Sequence, residues 1–230
     1  MSRPRVVATT IAATTSPQPF SLECTRCSRL AAHLSAIRAG YPDYHARPVA
    51  PFGDRKPGLL IVGLAPGMHG ANRTGRPFTG DHAGILLYDT LHRYGFASQA
   101  IATAPDDGLM LHGCRITNAV KCLPPENKPL PAEIRECNGY LRTELQALAP
   151  AAILALGTVA HQAVLRALDR RLADFPFAHG ATHALNHGMQ LFDSYHCSRY
   201  NTNTRRLTAE MFRQVFADIR HYLDRRTAAT

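Results

Sequence analysis

The stretch GLLIVGL at residues 58–64 and the loop APGMHGANRTGRPFTGD that follows it at residues 65–81 decide the fold. The first segment is short, apolar throughout and bounded by glycine, which is typical of a strand buried on both faces of a sheet. The second is rich in glycine and ends at Asp81, a residue type favoured as the N-cap of a helix. The sequence therefore predicts a strand, a loop whose backbone can approach a ligand closely, and a helix to about residue 94.

The same alternation of strand and helix continues along the chain. Apolar segments predict strands at residues 114–120, 151–156 and 189–194, and helical patterns occupy residues 23–39, 131–148, 157–172 and the region from residue 208 onward. Apolar strands that alternate with helices predict an α/β protein with a mostly parallel sheet covered on both faces. We expect residues 21–230 to form a single domain, preceded by a disordered tail at residues 1–20 that is rich in Ala, Thr, Ser and Pro.

The composition excludes several classes of protein. Hydrophobic residues make up 45% and charged residues 19% of the 230 residues, which argues against a disordered chain, a collagen-like chain or a small disulfide scaffold. A membrane protein is disfavoured because no run of about 18 apolar residues occurs. Lys and Arg number 26 against 17 Asp and Glu, which gives a formal net charge of +9. This balance favours an anionic partner such as nucleic acid, a nucleotide or a membrane surface.

Four of the six cysteines have spacings typical of a metal site. Cys24 and Cys27 form a C-x2-C pair, and Cys122 and Cys137 form a C-x14-C pair. Four thiolates suit tetrahedral zinc or a [4Fe–4S] cluster, and the wide second pair is unlike a zinc knuckle, which favours iron–sulfur. The alternative is a set of unrelated buried cysteines. Cys114 belongs to neither pair, and its place on a predicted strand makes it a core residue.

The loop at residues 65–81 contains candidate functional side chains but no standard nucleotide motif. It has neither Gly-Lys-Ser/Thr nor G-x-G-x-x-G, so nucleoside triphosphates and dinucleotides are disfavoured as ligands. Phe78 is either a platform on which a base stacks or an anchor in the core. Asp81 is either a general base or electrostatic stabiliser, or only a helix cap, and the residues alone favour the cap. Arg73 and Arg76 offer contacts to phosphate.

Polar residues also follow the second and fourth predicted strands. Asn118 carries a donor and an acceptor suited to the Watson–Crick edge of a base, and the alternative is a turn or cap asparagine. The loop YHCSRYNTNTRR at residues 195–206 is rich in arginines, hydroxyls and amides, which can bind a phosphate backbone. His196 in this loop is a candidate stabiliser of an anionic leaving group, although a lone histidine is more often structural. Because ligands bind beyond the carboxyl ends of the strands in open α/β sheets, these loops define the predicted site.

Four motifs, taken in order with the cysteine pairs, resemble the uracil-DNA glycosylase superfamily. They are GLAPG at 63–67, NRTGR at 72–76 with FTGD at 78–81, NAVKC at 118–122 with PPENKP at 124–129, and YH at 195–196 with NT at 201–202 and RLT at 206–208. The chain is most similar to family 5 (type B), because MHG at 68–70 lacks the acidic residue of family 4 and Asp81 follows the FTG. One departure is Cys197, which replaces the usual proline after the histidine and puts the rigidity of that loop in doubt.

The resemblance implies a fold, a cofactor and an activity. The implied fold is a three-layer α/β/α sandwich with a central four-stranded parallel sheet. The implied cofactor is a [4Fe–4S] cluster on Cys24, Cys27, Cys122 and Cys137. The implied activity is hydrolysis of the N-glycosidic bond of uracil, and of other deaminated bases such as hypoxanthine, in double- or single-stranded DNA. We expect a monomer that lies in the cytoplasm of a bacterium or archaeon beside the nucleoid, without a membrane partner.

The resemblance also assigns roles to individual residues. The implied catalytic residues are Asp81, His196 and Asn118. The implied base-binding residues are Gly63, Leu64, Ala65, Phe78, Asn118 and His196. The implied DNA-contacting residues are Arg73, Arg76, Ser198, Arg199, Asn201, Arg205 and Arg206. Three other functions remain possible at this point: an iron–sulfur DNA-binding module without activity, a family 4 enzyme with strict preference for uracil, and a zinc-stabilised binding protein.

Overall fold

A computed structural model describes residues 20–228 of the chain. Apart from Phe20, the tail predicted at residues 1–20 lies outside the described residues. The helices are α1 (Ser28–Gly40), α2 (Ala71–Thr74), α3 (His82–Arg93), α4 (Pro131–Leu148), α5 (Thr158–Ala167), α6 (Arg199–Asn203) and α7 (Ala209–Ala228). The strands are β1 (Phe52–Gly53), β2 (Leu59–Gly63), β3 (Cys114–Asn118), β4 (Ala152–Leu156), β5 (Thr182–Ala184) and β6 (Gln190–Ser194).

The strands form one sheet in the order β1-β3-β2-β4-β6-β5. The central four strands, β3-β2-β4-β6, are parallel, and they are the four strands that the sequence predicts, with bounds that differ by at most two residues. The edge strands β1 and β5 are antiparallel to their neighbours and were not predicted. They contain only two and three residues, too few to give an apolar run or an alternating pattern.

Two layers of helices cover this sheet, one on each face, and together they bury both faces of β2. Leu59 and Ile61 pack in one hydrophobic cluster with residues of α3 and α7. Leu60 and Val62 point to the opposite face and pack with residues of α4 and α5. Alternate side chains of a strand point to opposite faces of its sheet. The result is the three-layer α/β/α sandwich that the resemblance implies.

The helices differ from the predicted ones mainly at their ends. α1 begins at Ser28 rather than near residue 23, so that Cys24 and Cys27 lie in the segment before it. α5 ends at Ala167, five residues before the predicted end at 172. The short helices α2 and α6 lie inside loops that the sequence left irregular. Within residues 20–228, no helix is long and apolar enough to cross a membrane.

Candidate active site and cysteine cluster

A cavity of about 390 Å³ opens at the carboxyl ends of β2, β3 and β6. The loop after β2 lines it with Phe78 and Asp81, the end of β3 lines it with Asn118, and the loop after β6 lines it with His196. Leu64 and Ala65 complete the wall beneath the first loop. All three side chains with a predicted catalytic role therefore face one cavity, although they come from three separate segments of the chain.

Gly63, the last residue of β2, makes room for two of these side chains. It is the register partner of Asn118 in the adjacent parallel strand. A Cβ atom on Gly63 would lie 2.4 Å from Oδ1 of Asn118 and 2.7 Å from Cζ of Phe78, well inside contact distance. The Gly63 carbonyl accepts a hydrogen bond from the backbone N–H of Ala119. Gly63 thus makes room for the Asn118 and Phe78 side chains and does not line the cavity itself.

The Asn118 side chain has an unused hydrogen-bond acceptor. The residue is only 3% exposed, and Oδ1 has no hydrogen-bond partner among the described residues. A buried polar atom without a partner costs roughly 1–3 kcal/mol. Such a cost is tolerated where a ligand completes the bond, and the position of Asn118 in the cavity wall fits that explanation.

Asp81 is both a helix cap and a cavity residue. Its Oδ1 accepts a hydrogen bond of 2.9 Å from the backbone N–H of Gly84, which confirms the predicted N-cap of α3. The other carboxylate oxygen, Oδ2, lies close to Gly70 of the first loop. A Cβ atom on Gly70 would be only 2.3 Å from Oδ2. Burial raises the pKa of Asp81 above its ordinary value, although the N–H groups of Gly84 and Ala83 oppose the shift. A carboxylate with a raised pKa is suited to general-base chemistry near neutral pH.

His196 is an uncharged imidazole in this cavity. Burial lowers the pKa of His196 to about 4, so the ring is neutral at pH 7. Its loop is fixed by Asn201, whose Nδ2 donates a hydrogen bond of 2.8 Å to the His196 carbonyl. Cys197, in place of the usual proline, is fully buried in the hydrophobic cluster between the sheet and α7. The loop is therefore held by a core side chain and a side-chain-to-backbone hydrogen bond where the proline is missing.

The first loop and the His196 loop touch each other in two places. His82 Nε2 lies 3.0 Å from Thr202 Oγ1, which joins the start of α3 to α6. The rings of Phe78 and His196 face each other with their centroids 5.9 Å apart and their planes inclined by 28°. A base inserted between two rings needs about 7 Å, twice a contact distance of roughly 3.5 Å. The two loops therefore have to separate by about 1 Å if a base is to stack on both rings.

The predicted DNA-contacting residues other than Arg76 are exposed or partly buried. Arg73, Arg199, Arg205 and Arg206 are exposed. Arg199 lines the cavity, and the Arg206 guanidinium lies 4.6 Å from the centre of the Tyr195 ring. Ser198 and Asn201 are hydrogen-bonded within their own loop, where Ser198 Oγ accepts from the Asn201 N–H and caps α6. The exposed arginines remain available for phosphate, while the two polar residues shape the loop.

Arg76 does not fit the predicted contact to DNA. It is 4% exposed, and its guanidinium donates two hydrogen bonds, of 2.6 and 2.9 Å, to the Asp107 carboxylate. It also donates to Thr79 Oγ1 and lies over the Phe52 ring. The guanidinium holds the pKa of Asp107 well below its usual range. Arg76 is therefore an internal ion-pair residue that anchors the first loop to the segment around Asp107.

The four predicted ligand cysteines meet at one place in the structure. Cys24, Cys27, Cys122 and Cys137 line a second, smaller cavity between α1, α4 and the loop after β3. Burial, together with the neighbouring thiols, raises the pKa of Cys27 to about 11. The backbone N–H of Lys121 donates to Cys137 Sγ at 3.3 Å. Cys114 is buried on β3, as predicted for a core residue, and does not line this cavity.

Comparison with known proteins identifies the family. A family model described as the uracil DNA glycosylase superfamily matches residues 50–220. A protein of Thermus thermophilus named type-5 uracil-DNA glycosylase is 46% identical over 202 residues, which are 85% of this chain and 91% of that protein. A protein of Pyrobaculum aerophilum with the same name is 40% identical over 198 residues, 84% of this chain and 86% of that protein. The chain belongs to the type-5 uracil-DNA glycosylases.

One relative of the neighbouring type matches a smaller part of the chain. A type-4 uracil-DNA glycosylase of Pyrobaculum aerophilum is 36% identical over 129 residues, 56% of this chain and 58% of that protein. The superfamily match begins at residue 50, after Cys24 and Cys27. It therefore covers every residue that lines the cavity at the carboxyl ends of the strands but only one of the two cysteine pairs.

Two further candidate site residues become visible only in the structure, Asn72 and Tyr200. Asn72 in α2 is fully buried, and neither polar atom of its amide has a partner among the described residues. Tyr200 in α6 is 71% exposed next to Arg199 at the mouth of the cavity. Both lie in stretches that the resemblance covers, but burial and exposure within a polar loop cannot be read from residue types.

Proposed function

We propose that this chain hydrolyses the N-glycosidic bond of uracil in DNA, releasing free uracil and leaving an abasic site in the first step of base excision repair. The observation that carries the proposal is the unpartnered Oδ1 of Asn118 in the wall of the cavity at the carboxyl ends of β2, β3 and β6. Uracil presents an N–H donor between two carbonyl acceptors, and an asparagine amide offers one acceptor and two donors. Bound uracil would supply the hydrogen bond that Asn118 lacks.

The target nucleotide has to leave the DNA stack to reach this cavity. Enzymes that act on a base rotate its nucleotide out of the duplex and read the base in a closed pocket. Phe78 would contact the face of the flipped uracil, since its ring lines the cavity opposite His196. Tyr200, a large exposed side chain that follows the cavity-lining Arg199 in α6, is suited to fill the space that the flipped nucleotide leaves in the duplex.

His196 would stabilise the uracil anion as the bond breaks. A neutral imidazole donates one N–H and accepts at its other nitrogen, so His196 can give a hydrogen bond to the uracil carbonyl without carrying charge itself. The lowered pKa of His196 keeps the ring in this form at neutral pH. Removing one such donor typically costs roughly 10²–10³-fold in rate.

Asp81 would act on the sugar side of the same bond. The oxocarbenium character that develops on the deoxyribose is stabilised by a nearby carboxylate, and the same carboxylate can accept a proton from the attacking water. One oxygen of Asp81 accepts the N-cap hydrogen bond of α3 from Gly84. The second oxygen would act on the sugar and the attacking water. General-base assistance contributes roughly 10²–10⁴-fold.

Single-turnover release of uracil from a duplex oligonucleotide tests this assignment. We expect wild-type protein to produce uracil and an abasic site, and His196→Ala and Asp81→Ala to lose much of the rate. Near-wild-type rates for both variants would contradict the roles given to the two residues. A wild-type protein that binds the duplex and releases no base would instead be a DNA-binding module without activity.

We further propose that the substrate range extends to hypoxanthine and other deaminated bases. The cavity of about 390 Å³ falls in the range of roughly 300–1,000 Å³ that accommodates drug-sized ligands, so its volume does not exclude a purine. Residues 68–70, MHG, contain no acidic side chain at the place where the family 4 enzymes, with their strict preference for uracil, have one. Release of hypoxanthine at a measurable fraction of the uracil rate supports this range, and strict uracil preference contradicts it.

We propose that Cys24, Cys27, Cys122 and Cys137 hold a [4Fe–4S] cluster. Around one tetrahedral zinc ion the sulfur atoms lie about 3.8 Å apart. Among the described residues, the one group of three or more potential ligand atoms within 4.8 Å of one another contains no cysteine, so no three of the four thiols lie that close together. The N–H of Lys121 toward Cys137 Sγ is suited to a thiolate ligand. The cluster would tie α1 and α4 to the loop after β3.

Iron and sulfide analysis tests the cluster directly. We expect about four irons per chain and a broad absorption near about 400 nm in the wild type and in Cys114→Ser, whose thiol lies outside the cysteine cavity. Cys27→Ser should lose both signals. Bound zinc with no iron in the anaerobically purified protein would contradict the assignment.

The remaining proposals concern the surroundings of the enzyme. Arg73, Arg199, Arg205 and Arg206 would lie along the DNA backbone, which makes binding salt-dependent. We propose that residues 21–230 act as one domain and that the protein works as a monomer on either double- or single-stranded DNA. We also propose that the enzyme acts beside the nucleoid in the cytoplasm, where its DNA substrate lies.

A further inference from the structure

A second group of potential metal ligands lies behind β6, away from the four cysteines. His161 on α5, His183 on β5 and Asp193 on β6 each direct one ligand atom to a common point, and these atoms lie within 4.8 Å of one another. His161 Nδ1 is 2.8 Å from Asp193 Oδ1, and His183 Nε2 is 3.3 Å from Asp193 Oδ2. Neither the cavity wall nor the cysteine cavity includes any of the three.

The group is enclosed by the protein. The Asp193 side chain is fully buried, that of His161 is 2% exposed and that of His183 is 13% exposed. The Phe177 ring packs edge-on against His161, and the Phe175 ring packs edge-on against His183. A carboxylate in such a place is costly unless a cation or several hydrogen bonds compensate its charge.

The second nitrogen of His161 is already fixed by the backbone. His161 Nε2 lies 2.8 Å from the Phe175 carbonyl oxygen, which can only accept, so Nε2 carries a proton. In a neutral ring, Nδ1 then presents a lone pair to the carboxylate of Asp193, and two acceptors 2.8 Å apart require a positive charge between them. A metal-ligating histidine almost always donates its other ring N–H to a carbonyl or carboxylate, which is the arrangement of His161.

We propose that His161 Nδ1, His183 Nε2 and the Asp193 carboxylate bind one divalent transition-metal ion of the zinc type. Imidazole and carboxylate ligands suit Zn²⁺, and three protein ligands with water in the fourth position form a recognised coordination shell. The partly exposed edge at His183 would admit that water. The ion would hold β5 and α5 against β6, whose chain delivers His196 three residues beyond Asp193. Its role is structural, to fix the position of β6.

Cobalt binding to the anaerobically purified full-length protein tests the proposal, since Co²⁺ replaces Zn²⁺ and its visible absorption reports the ligands. We expect one equivalent of Co²⁺ to bind with absorption bands of nitrogen and oxygen ligands and no thiolate-to-cobalt charge-transfer band. His183→Ala should weaken this binding at least ten-fold. His221→Ala, which removes an exposed histidine of α7, is the matched control and should bind as the wild type does.

A second readout keeps the test decisive if a variant is unstable. Zn²⁺ should raise the Tm of the wild type and of His221→Ala, and should leave the Tm of His183→Ala and His183→Gln unchanged. Absence of Co²⁺ binding in the wild type would mean that a proton alone joins His161 to Asp193, and would overturn the proposal. Equal binding by His183→Ala, or binding seen only as thiolate charge transfer, would place the metal elsewhere and overturn it as well.

Discussion

Gly63 and Asn118 are register partners at the ends of two adjacent parallel strands, and the absence of a side chain on Gly63 is what lets the Asn118 amide occupy its place. A Cβ at residue 63 would lie 2.4 Å from Asn118 Oδ1. The position of the Asn118 amide thus depends on a residue that does not line the cavity.

Gly63→Ala should therefore damage catalysis without a direct contact to the substrate. The added methyl group displaces Asn118 and Phe78, and a displacement of about 1 Å at a catalytic group can cost about 10²-fold in rate. Single-turnover uracil release measures the loss. Gly58→Ala is the matched control, because its Cβ would meet Leu223 at an ordinary 3.6 Å. Equal rates for the two variants would contradict the supporting role of Gly63.

Substitutions of Asp81 should separate its cap from its chemistry. Asp81→Asn keeps a good N-cap residue and removes the charge, so its Tm should stay near that of the wild type while the rate falls roughly 10²–10⁴-fold. Asp81→Ala should lose the rate and also about 1 kcal/mol of unfolding free energy. An Asp81→Asn variant with full activity would leave Asp81 as a cap alone.

The sequence predicts the architecture well because its strongest signals are local. The four apolar strands, their order along the chain and the cap at Asp81 all follow from short segments, and they place three loops at one edge of the sheet. The edge strands β1 and β5 are too short to give such a signal. Their positions depend on pairing with β3 and β6 rather than on their own residues.

The sequence locates the site better than it distinguishes the residues within it. Arg73 and Arg76 belong to one motif and carry the same group, yet one is exposed and the other is buried against Asp107, 31 residues away. The contact between Phe78 and His196 likewise joins residues far apart in the chain. Such differences depend on tertiary distances, which composition and spacing do not contain.

The exposed Arg199 and the buried Arg76 give opposite predictions for substitution by glutamine. Arg199→Gln should leave the Tm unchanged and reduce the slope of log K against log[salt] for DNA binding by roughly 1. Arg76→Gln should leave that slope unchanged and cost about 3–5 kcal/mol of unfolding free energy, because it strips Asp107 of its buried partner. Salt titrations of DNA binding and urea unfolding measure the two effects. A lowered salt slope for Arg76→Gln would restore it to the DNA-contacting set.

The lowered pKa of the half-buried His196 should make stability depend on pH. Its folded-state pKa of about 4 lies below the unfolded value of about 6.5, so the unfolded chain binds the proton more readily. The native state therefore loses stability as the pH falls from about 6.5 toward about 4, by up to about 3 kcal/mol. His196→Gln should lack this component, which the difference between the two urea-unfolding curves at each pH isolates. Parallel pH profiles would show that His196 is not desolvated.

The most direct test of the base-binding cavity is single-turnover uracil release by Asn118→Ala, measured together with its Tm. Because Oδ1 of Asn118 has no partner among the described residues, truncation removes no hydrogen bond at that atom from the folded protein. We expect a Tm near or above that of the wild type and a rate at least about 10²-fold lower. A variant that keeps the wild-type rate, or one that loses rate only in proportion to lost stability, would contradict this expectation.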